Sequence, residues 1–235
     1  MGLDKKIIKQ LLKKDNPLIL ELGAHAGEDT REFAREFKNL KIYCFEPDPR
    51  CIKKFKKQIK DSRCILVEAA VSGTDGLTWL NMSSGRAPGR IYRIFKILGL
   101  GKFYEILSRD DWDYSSSIKT AISRPKDYPW LTFNQKIEVR TVRLDSWIKD
   151  HNIKQIDFIW SDIQGAERDM LAGAVNTLKL CKYFYTEYGE LSSYQGALTR
   201  KETIALFKEQ QYELVPEYSS EERIGNLLFR NRDLT

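Results

Sequence analysis

The sequence predicts an α/β fold, a mostly parallel sheet with helices on both faces. Three observations carry that expectation. Residues 18–30 read LILELGAHAGEDT, an apolar run that ends in an acid and passes through a glycine-containing turn into a polar segment. Residues 41–47 read KIYCFEP, a second apolar run ending in a second acid. The same rhythm returns at IDFIWSD (156–162) and KYFYTE (182–187), each strand-like run closing on a carboxylate. Strands that alternate with helices pair in parallel, and ligands of such sheets sit beyond the strands' carboxyl ends.

In chain order, residues 1–16 supply an N-terminal amphipathic helix, centred on 4–14, with Ile7, Ile8, Leu11 and Leu12 at helical spacing. A strand over 18–22 follows, then the glycine loop, a helix and the strand over 41–45. Residues 49–60 are a helix with Ile52, Phe55 and Ile59 on one stripe. Residues 64–71, CILVEAAV, read as a third buried strand. SGTDG (72–76) is a turn and 77–81 a short strand. Past the strand at 156–161, residues 165–180 read as one helix and 199–210 as another. The segments 212–215 and 226–229 are expected to close the sheet as an antiparallel pair. The whole chain of 235 residues reads as one domain.

Residues 82–136 break the rhythm. They hold Gly85, Pro88, Gly89, Gly99, Gly101, Pro125 and Pro129, with Trp112 and Trp130. Ile91, Ile94, Phe95 and Leu98 make an amphipathic turn pattern interleaved with Arg90, Arg93 and Lys96. An insertion at the carboxyl edge suits a lid that selects substrate. An ordinary helix packed on the sheet edge and a membrane-surface helix are the alternatives.

Composition narrows the class. No apolar run nears the ~18 residues of a membrane span, and the N-terminus alternates charge with apolar residues, unlike a signal peptide. Cys44, Cys51, Cys64 and Cys181 form no C-x-x-C pair, so reduced thiols and a cytoplasmic location are expected. With only two histidines, a Cys/His zinc site is not expected. The net charge is +6, and residues 1–60 carry the surplus, fifteen Lys and Arg against nine Asp and Glu. Lys53, Lys54, Lys56, Lys57 and Lys60 crowd one helix. Such a run is a solvated face in most proteins, and in others it attracts nucleic acid, anionic lipid or an acidic sugar nucleotide.

The first loop selects its ligand by charge. A dinucleotide fingerprint needs G-x-G-x-x-G ahead of a helix N-terminus that holds a pyrophosphate. Here the order is Glu21-x-Gly23-x-His25-x-Gly27, followed by Glu28 and Asp29. The first phosphate-turn glycine is missing, and three carboxylates around the helix start repel phosphate. They tolerate the sulfonium and ammonium of S-adenosylmethionine. Glu46 lies 23 residues beyond Gly23, near the ~20 expected of a ribose-binding acid. The plain alternative is that Gly23 and Gly27 only turn a strand into a helix.

Taken together these segments resemble the FkbM-type S-adenosylmethionine-dependent methyltransferases, a class I Rossmann-like family. ELGAHAG (21–27) is similar to its cofactor loop and FEPDP (45–49) to its ribose-binding strand end. AAVS (69–72), SSS (115–117), VRLDSW (142–147) and SDIQGAE (161–167) resemble its further motifs in the same order. The resemblance covers about residues 17–190. It implies a seven-stranded sheet with an inserted lid. It also implies methyl transfer, with a sugar, glycan or other small-molecule hydroxyl as the expected acceptor. RNA ribose methylation and a non-catalytic cofactor-binding module are the alternatives.

On that resemblance Glu21 faces the methionine ammonium, and Gly23, Ala24, His25 and Gly27 form the loop. Glu46 accepts from both ribose hydroxyls beside Pro47, and Glu68, Ala69 and Ala70 flank the adenine. Asp162 touches the cofactor and, with Glu187, forms the catalytic pair, as base and orienting partner or as ligands of a shared magnesium ion. Asp162 could equally cap the helix starting near Gly165, and Glu187 could anchor a loop.

Overall fold

The computed structural model describes residues 2–85, 112–122, 130–189, 194–222 and 224–234. Its centre is a seven-stranded sheet. The strands are β1 (Leu18–Leu22), β2 (Lys41–Phe45), β3 (Cys64–Val67), β7 (Ile156–Ser161), β8 (Cys181–Gly189), β9 (Tyr212–Leu214) and β10 (Ile224–Asn231). They lie in the order β3-β2-β1-β7-β8-β10-β9. The first five pair in parallel, while β10 runs antiparallel between β8 and β9. Strand order reverses at β1, which lies between β2 and β7. The crevice at such a switch point is where a parallel sheet binds its ligand.

Side chains alternate between the sheet faces, so each strand feeds two cores. Leu20, Leu22, Ile159 and Phe184 join Trp147, Met170 and Phe207 on one face. Ile19, Ile42, Phe158 and Trp160 join Phe33, Phe37 and Phe55 on the other. Helix α1 (Lys5–Leu12) seals this second face. Its Lys5 is 4% exposed, lies 3.4 Å above the Trp160 ring and pairs with Asp29. Desolvating that ammonium is offset by the ring face and the carboxylate together.

Local chemistry sets the other helix boundaries. Gly27, at φ 87°, starts α2 (Glu28–Glu36). Asp48 caps α3 (Pro49–Gln58) by accepting from the Arg50 amide, with Pro49 in the first turn, where its missing N–H costs nothing. A capping box between Thr199 and Glu202 opens α7 (Arg200–Glu209).

Two expectations need correction. Residues 64–71 are not one buried strand. β3 is a half-exposed edge strand, and β4 (Ala70–Val71) belongs to a second sheet with β5 (Gly76–Ser84) and β6 (Thr132–Val142), ordered β4-β6-β5. Residues 82–84 and 132–135, at the two ends of the expected insertion over 82–136, pair in the antiparallel β5–β6 ribbon. The helix expected over 165–180 is two, α5 (Glu167–Ala172) and α6 (Val175–Leu178), after α4 (Leu144–Asp150). It breaks at Gly173, where a Cβ would stand 2.3 Å from the Ser72 carbonyl oxygen. The amphipathic pattern of Ile91, Ile94, Phe95 and Leu98 lies outside the described residues. Among those residues, no helix is long and apolar enough to cross a membrane.

Candidate active site

The carboxyl ends of β1, β2 and β7 open into a cavity of about 680 Å³, counted with the open solvent at its mouth. Gly23, at φ 86°, lines it. A Cβ at that position would stand 1.9 Å from the Asp162 carbonyl oxygen, so the β1 and β7 loops touch only because the residue is glycine. Gly23→Ala is expected to cost about 3 kcal/mol, combining left-handed strain with a backbone clash. Urea unfolding measures it, and a loss below about 1 kcal/mol would show that the loops part freely. Gly27 has another cause. It does not line the cavity, and its Cβ would meet Ile59 and Phe55, so it serves the packing of α2 on α3.

Glu46 forms part of the cavity wall at the end of β2 and is 7% exposed. Its Oε2 accepts from the His25 amide at 2.8 Å and its Oε1 from the Asp48 amide at 2.8 Å. Each oxygen keeps a second lone pair for a ligand hydroxyl. Burial pushes this carboxyl up to about 7, against the pull of the two amides. Pro47, Ala69 and Ala70 also line the space, with Val71, Leu80 and Ile118 as apolar wall. Among the described residues its lining holds no Lys or Arg, while Glu46, Asp113 and Asp162 all reach it. Those carboxylates suit hydroxyls and a cation, and the His25 ring that shares the lining is already engaged by Asp113 and Glu28.

Three further residues of the expected cofactor set do not line the cavity. Glu21 does not line the cavity. It is 1% exposed and accepts from the Thr30 hydroxyl, and burial pushes it up to about 8. Alternation explains this, since Glu21 shares the face of Ile19 rather than that of Leu22. Ala24 packs among the hydrophobic residues of that same face. Glu68 turns to solvent and pairs with Lys56 at 2.5 Å.

Sequence reasoning missed the segment 112–122, which supplies Asp113, Tyr114, Ser116, Ser117 and Ile118 to the cavity. The serine run was its visible signal. Ser116 donates to Asp48 at 2.9 Å and Ser117 to the Gln164 carbonyl at 2.7 Å, binding the segment to α3 and the β7 loop. His25 holds the other end. Its Nε2 lies 2.8 Å from Asp113 and its Nδ1 3.2 Å from Glu28, and Tyr114 stacks on its ring at 4.0 Å. Lys54 donates to the second Asp113 oxygen at 2.6 Å. Burial alone would lower the imidazole, but the hydrogen bonds to Asp113 and Glu28 outweigh it and raise His25 to about 9. Asp113 is desolvated too, yet His25 and Lys54 hold it below the ordinary range. Among the described residues, His25, Cys51 and Asp113 are the group with three metal-type donors close together. Lys54 and the imidazolium already balance its charge.

Asp162 and Glu187 lie beyond β7 and on the outer part of β8. Asp162 faces open cavity space although protein surrounds it, and that desolvation raises its carboxyl. Glu187 is raised by burial first, then by Asp162 and Glu167. Gln164 Nε2 donates to Asp162 at 2.6 Å and reaches Glu187 at 3.5 Å. Asp162 is not a helix cap, since Ala166 occupies that position ahead of α5. A second cavity of about 520 Å³ adjoins, lined by Glu167, Glu187, Tyr188 and Tyr194. The two carboxylates belong to no three-donor group of described residues.

A profile of the methyltransferase FkbM domain matches residues 21–214. The chain belongs to the FkbM methyltransferase family. A curated relative, the 2-O-methyltransferase NoeI of Sinorhizobium fredii strain NGR234, is 32% identical over 228 residues, spanning 97% of this chain and 84% of the relative. Among solved structures, a putative rRNA methylase from Clostridium thermocellum aligns at TM-score 0.51 and 7% identity, covering 98% of this chain and 96% of that one. The N-terminal domain of EvdMO1, solved with S-adenosylhomocysteine bound, aligns at TM-score 0.50 and 11% identity, covering 97% and 79%. These likenesses show the fold, the Rossmann-like sheet of class I methyltransferases. As an FkbM methyltransferase, the chain is an enzyme that uses S-adenosylmethionine.

Buried acids give this FkbM enzyme a pH-dependent stability. Burial raises Glu21 to about 8, Glu46 to about 7 and Glu167 to about 7, and His25 rises to about 9. In each case the folded state holds a proton that the unfolded chain gives up sooner, so stability falls as pH rises. For the acids the loss runs from about 4.5 to 8, and for His25 from about 6.5 to 9. Glu28 and Asp113, held low, act oppositely and lose their contribution only in strong acid. The melting temperature of ligand-free protein should therefore be highest near about pH 4.5 and fall towards pH 9. A temperature that climbs from pH 6 to 9 contradicts these assignments.

Proposed function

We propose that this chain transfers the methyl group of S-adenosylmethionine to a hydroxyl oxygen of a sugar, glycan or other small polyol. The observation that carries this reading is the pair Asp162–Glu187, placed where the first cavity meets the second. The bound cofactor supplies a methyl carbon activated by a sulfonium. Gly23, Glu46, Pro47, Ala69 and Ala70 would hold its nucleoside, with Glu46 accepting from the ribose hydroxyls. The second cavity takes the acceptor, and its two tyrosine rings beside two carboxylates suit a hydroxyl-rich ring.

A hydroxyl is a weak nucleophile at neutral pH and gains from a base within hydrogen-bond reach. Asp162 takes the hydroxyl proton while the carbon–oxygen bond forms and the carbon–sulfur bond breaks with its electrons returning to sulfur. Glu187 orients Asp162. Gln164 Nε2 already donates to Asp162 Oδ1 and reaches Glu187, and on that ground the base route is preferred to the metal route. The curated relative's activity as a 2-O-methyltransferase supports oxygen as the acceptor atom.

The test incubates the protein with S-adenosylmethionine and a panel of free sugars and sugar nucleotides. The reading expects S-adenosylhomocysteine release matched by one methyl mass gain on a hydroxyl. A gain only on nitrogen, or on an RNA ribose, would replace it.

A further inference from the structure

The segment that reaches the cofactor cavity from residue 112 onward is held there by side chains more than by backbone pairing. Trp112 donates its amide to the Gly85 carbonyl, and Ser117 exchanges two backbone bonds with Asn81. Between those points Asp113 does the fastening. It is 4% exposed, its Oδ1 lies 2.8 Å from His25 Nε2, and its Oδ2 accepts from Lys54 Nζ at 2.6 Å. One carboxylate thus ties the loop after β1 to helix α3.

His25 is held from several sides. Its backbone adopts φ 47°, a left-handed conformation uncommon outside glycine, which persists only where surrounding contacts keep it. Its amide donates to Glu46 Oε2 at 2.8 Å, so the ring against Asp113 and the donor to Glu46 belong to one residue. Trp130, Trp112, Tyr114 and His25 form a row of rings with successive centroids 4.9, 5.1 and 4.0 Å apart. Lys54 stands at the far end of the acid. It does not line the cavity, and its side chain is 47% exposed. It nevertheless reaches a carboxylate that does line the cavity, whereas its neighbour Lys56 pairs with Glu68 at the surface.

We propose that Lys54 and Asp113 are positioning residues for cofactor binding: together they clasp His25, and through its amide Glu46, in the arrangement that receives the ribose. This rests on the reading that the first cavity holds the nucleoside. A buried carboxylate is stable only with its partners in place, because removing one leaves a desolvated charge poorly compensated. Without Lys54, Asp113 regains water by turning outward, and the His25 ring loses its anchor. The row of rings still keeps the segment beside the cavity, so the wall loosens without falling away. A looser wall acts mainly on the rate at which ligand leaves.

The test is surface plasmon resonance of S-adenosylhomocysteine on the full chain. Lys54→Met keeps the apolar stem and removes the ammonium. It is expected to raise the dissociation rate about three- to tenfold, the worth of one hydrogen bond to a charged group. Lys54→Arg, which still donates to the acid, should recover most of that change. Asp113→Asn weakens both contacts at once and should exceed Lys54→Met. Lys57→Met removes the same charge from the exposed face of the same helix and should stay within about twofold of wild type. Lys54→Met and Asp113→Asn rates that both stay within that range overturn the proposal. A Lys57→Met rate that rises as much as that of Lys54→Met also overturns it, since helix charge rather than the clasp would then be at work. Glu46→Ala in the same assay separates the clasp from the cavity assignment. Lost affinity there, with an unmoved Lys54→Met rate, keeps the nucleoside in the first cavity and removes the clasp. Unchanged affinity there removes the cavity assignment and the proposal with it.

Discussion

Asp162→Asn is expected to slow methyl transfer by about 10²–10⁴-fold, the range of a lost general base, with S-adenosylhomocysteine affinity changed by less than about tenfold. The substitution keeps the shape of the side chain and an oxygen for the Gln164 amide at 2.6 Å. It removes the group that receives the proton. The asymmetry between rate and binding is the diagnostic feature, because an interaction made only during reaction appears in kcat and not in cofactor affinity. In the wild type the rate should rise with pH above the ordinary carboxylate range of about 4, since burial raises both Asp162 and Glu187. That rising limb should vanish in the variant. Stopped-time assays of S-adenosylhomocysteine release across pH measure both, and an Asp162→Asn protein with wild-type rate sinks the base assignment.

The second large effect falls on binding. Glu46→Ala should weaken S-adenosylhomocysteine binding by about 3 kcal/mol, roughly 100-fold or more, from two hydrogen bonds to a charged acceptor. Two structural facts add to the ribose contacts. Glu46 receives the amides of His25 and Asp48, so its loss leaves one half-buried and one buried donor without an acceptor and should loosen the loops on both sides of the cavity. Glu46→Gln does not rescue this fully, because its NH₂ group must face one of those amides, donor against donor. Calorimetric titration reads the loss, and an affinity within about threefold of wild type would place the ribose elsewhere.

The fold was legible where local pattern and global packing agree. The acid-terminated apolar runs at 18–22, 41–45 and 156–161 are strands of one parallel sheet, and the alternation with helices follows. It was illegible where tertiary contact decides. Nothing around Gly173 announces that Ser72 lies behind it, so the sequence reads as one helix where the chain makes two. The ribbon of β5 and β6 joins residues 76–84 to 132–142 across a long gap, and no local window shows that pairing.

The site divides in the same way. Gly23 and Glu46 line the cavity because spacing along adjacent parallel strands places them at one edge. Glu21 is buried on the face of Ile19 and does not line the cavity, because strand parity, not distance in sequence, decides which face a side chain takes. Asp113 and Tyr114 stand just ahead of the serine run 115–117, outside that motif, and His25 and Lys54 bring them to the cavity. The φ of Gln164 and its approach to two carboxylates are tertiary facts that no local pattern carries.

The most direct measurement is a crystal structure of the protein with S-adenosylhomocysteine and a methyl-accepting sugar bound together. The account predicts the accepting hydroxyl oxygen within about 2.6–3.2 Å of an Asp162 oxygen, with the Gln164 amide on the other. An acceptor oxygen held by a different side chain, with Asp162 turned away from it, would contradict the account.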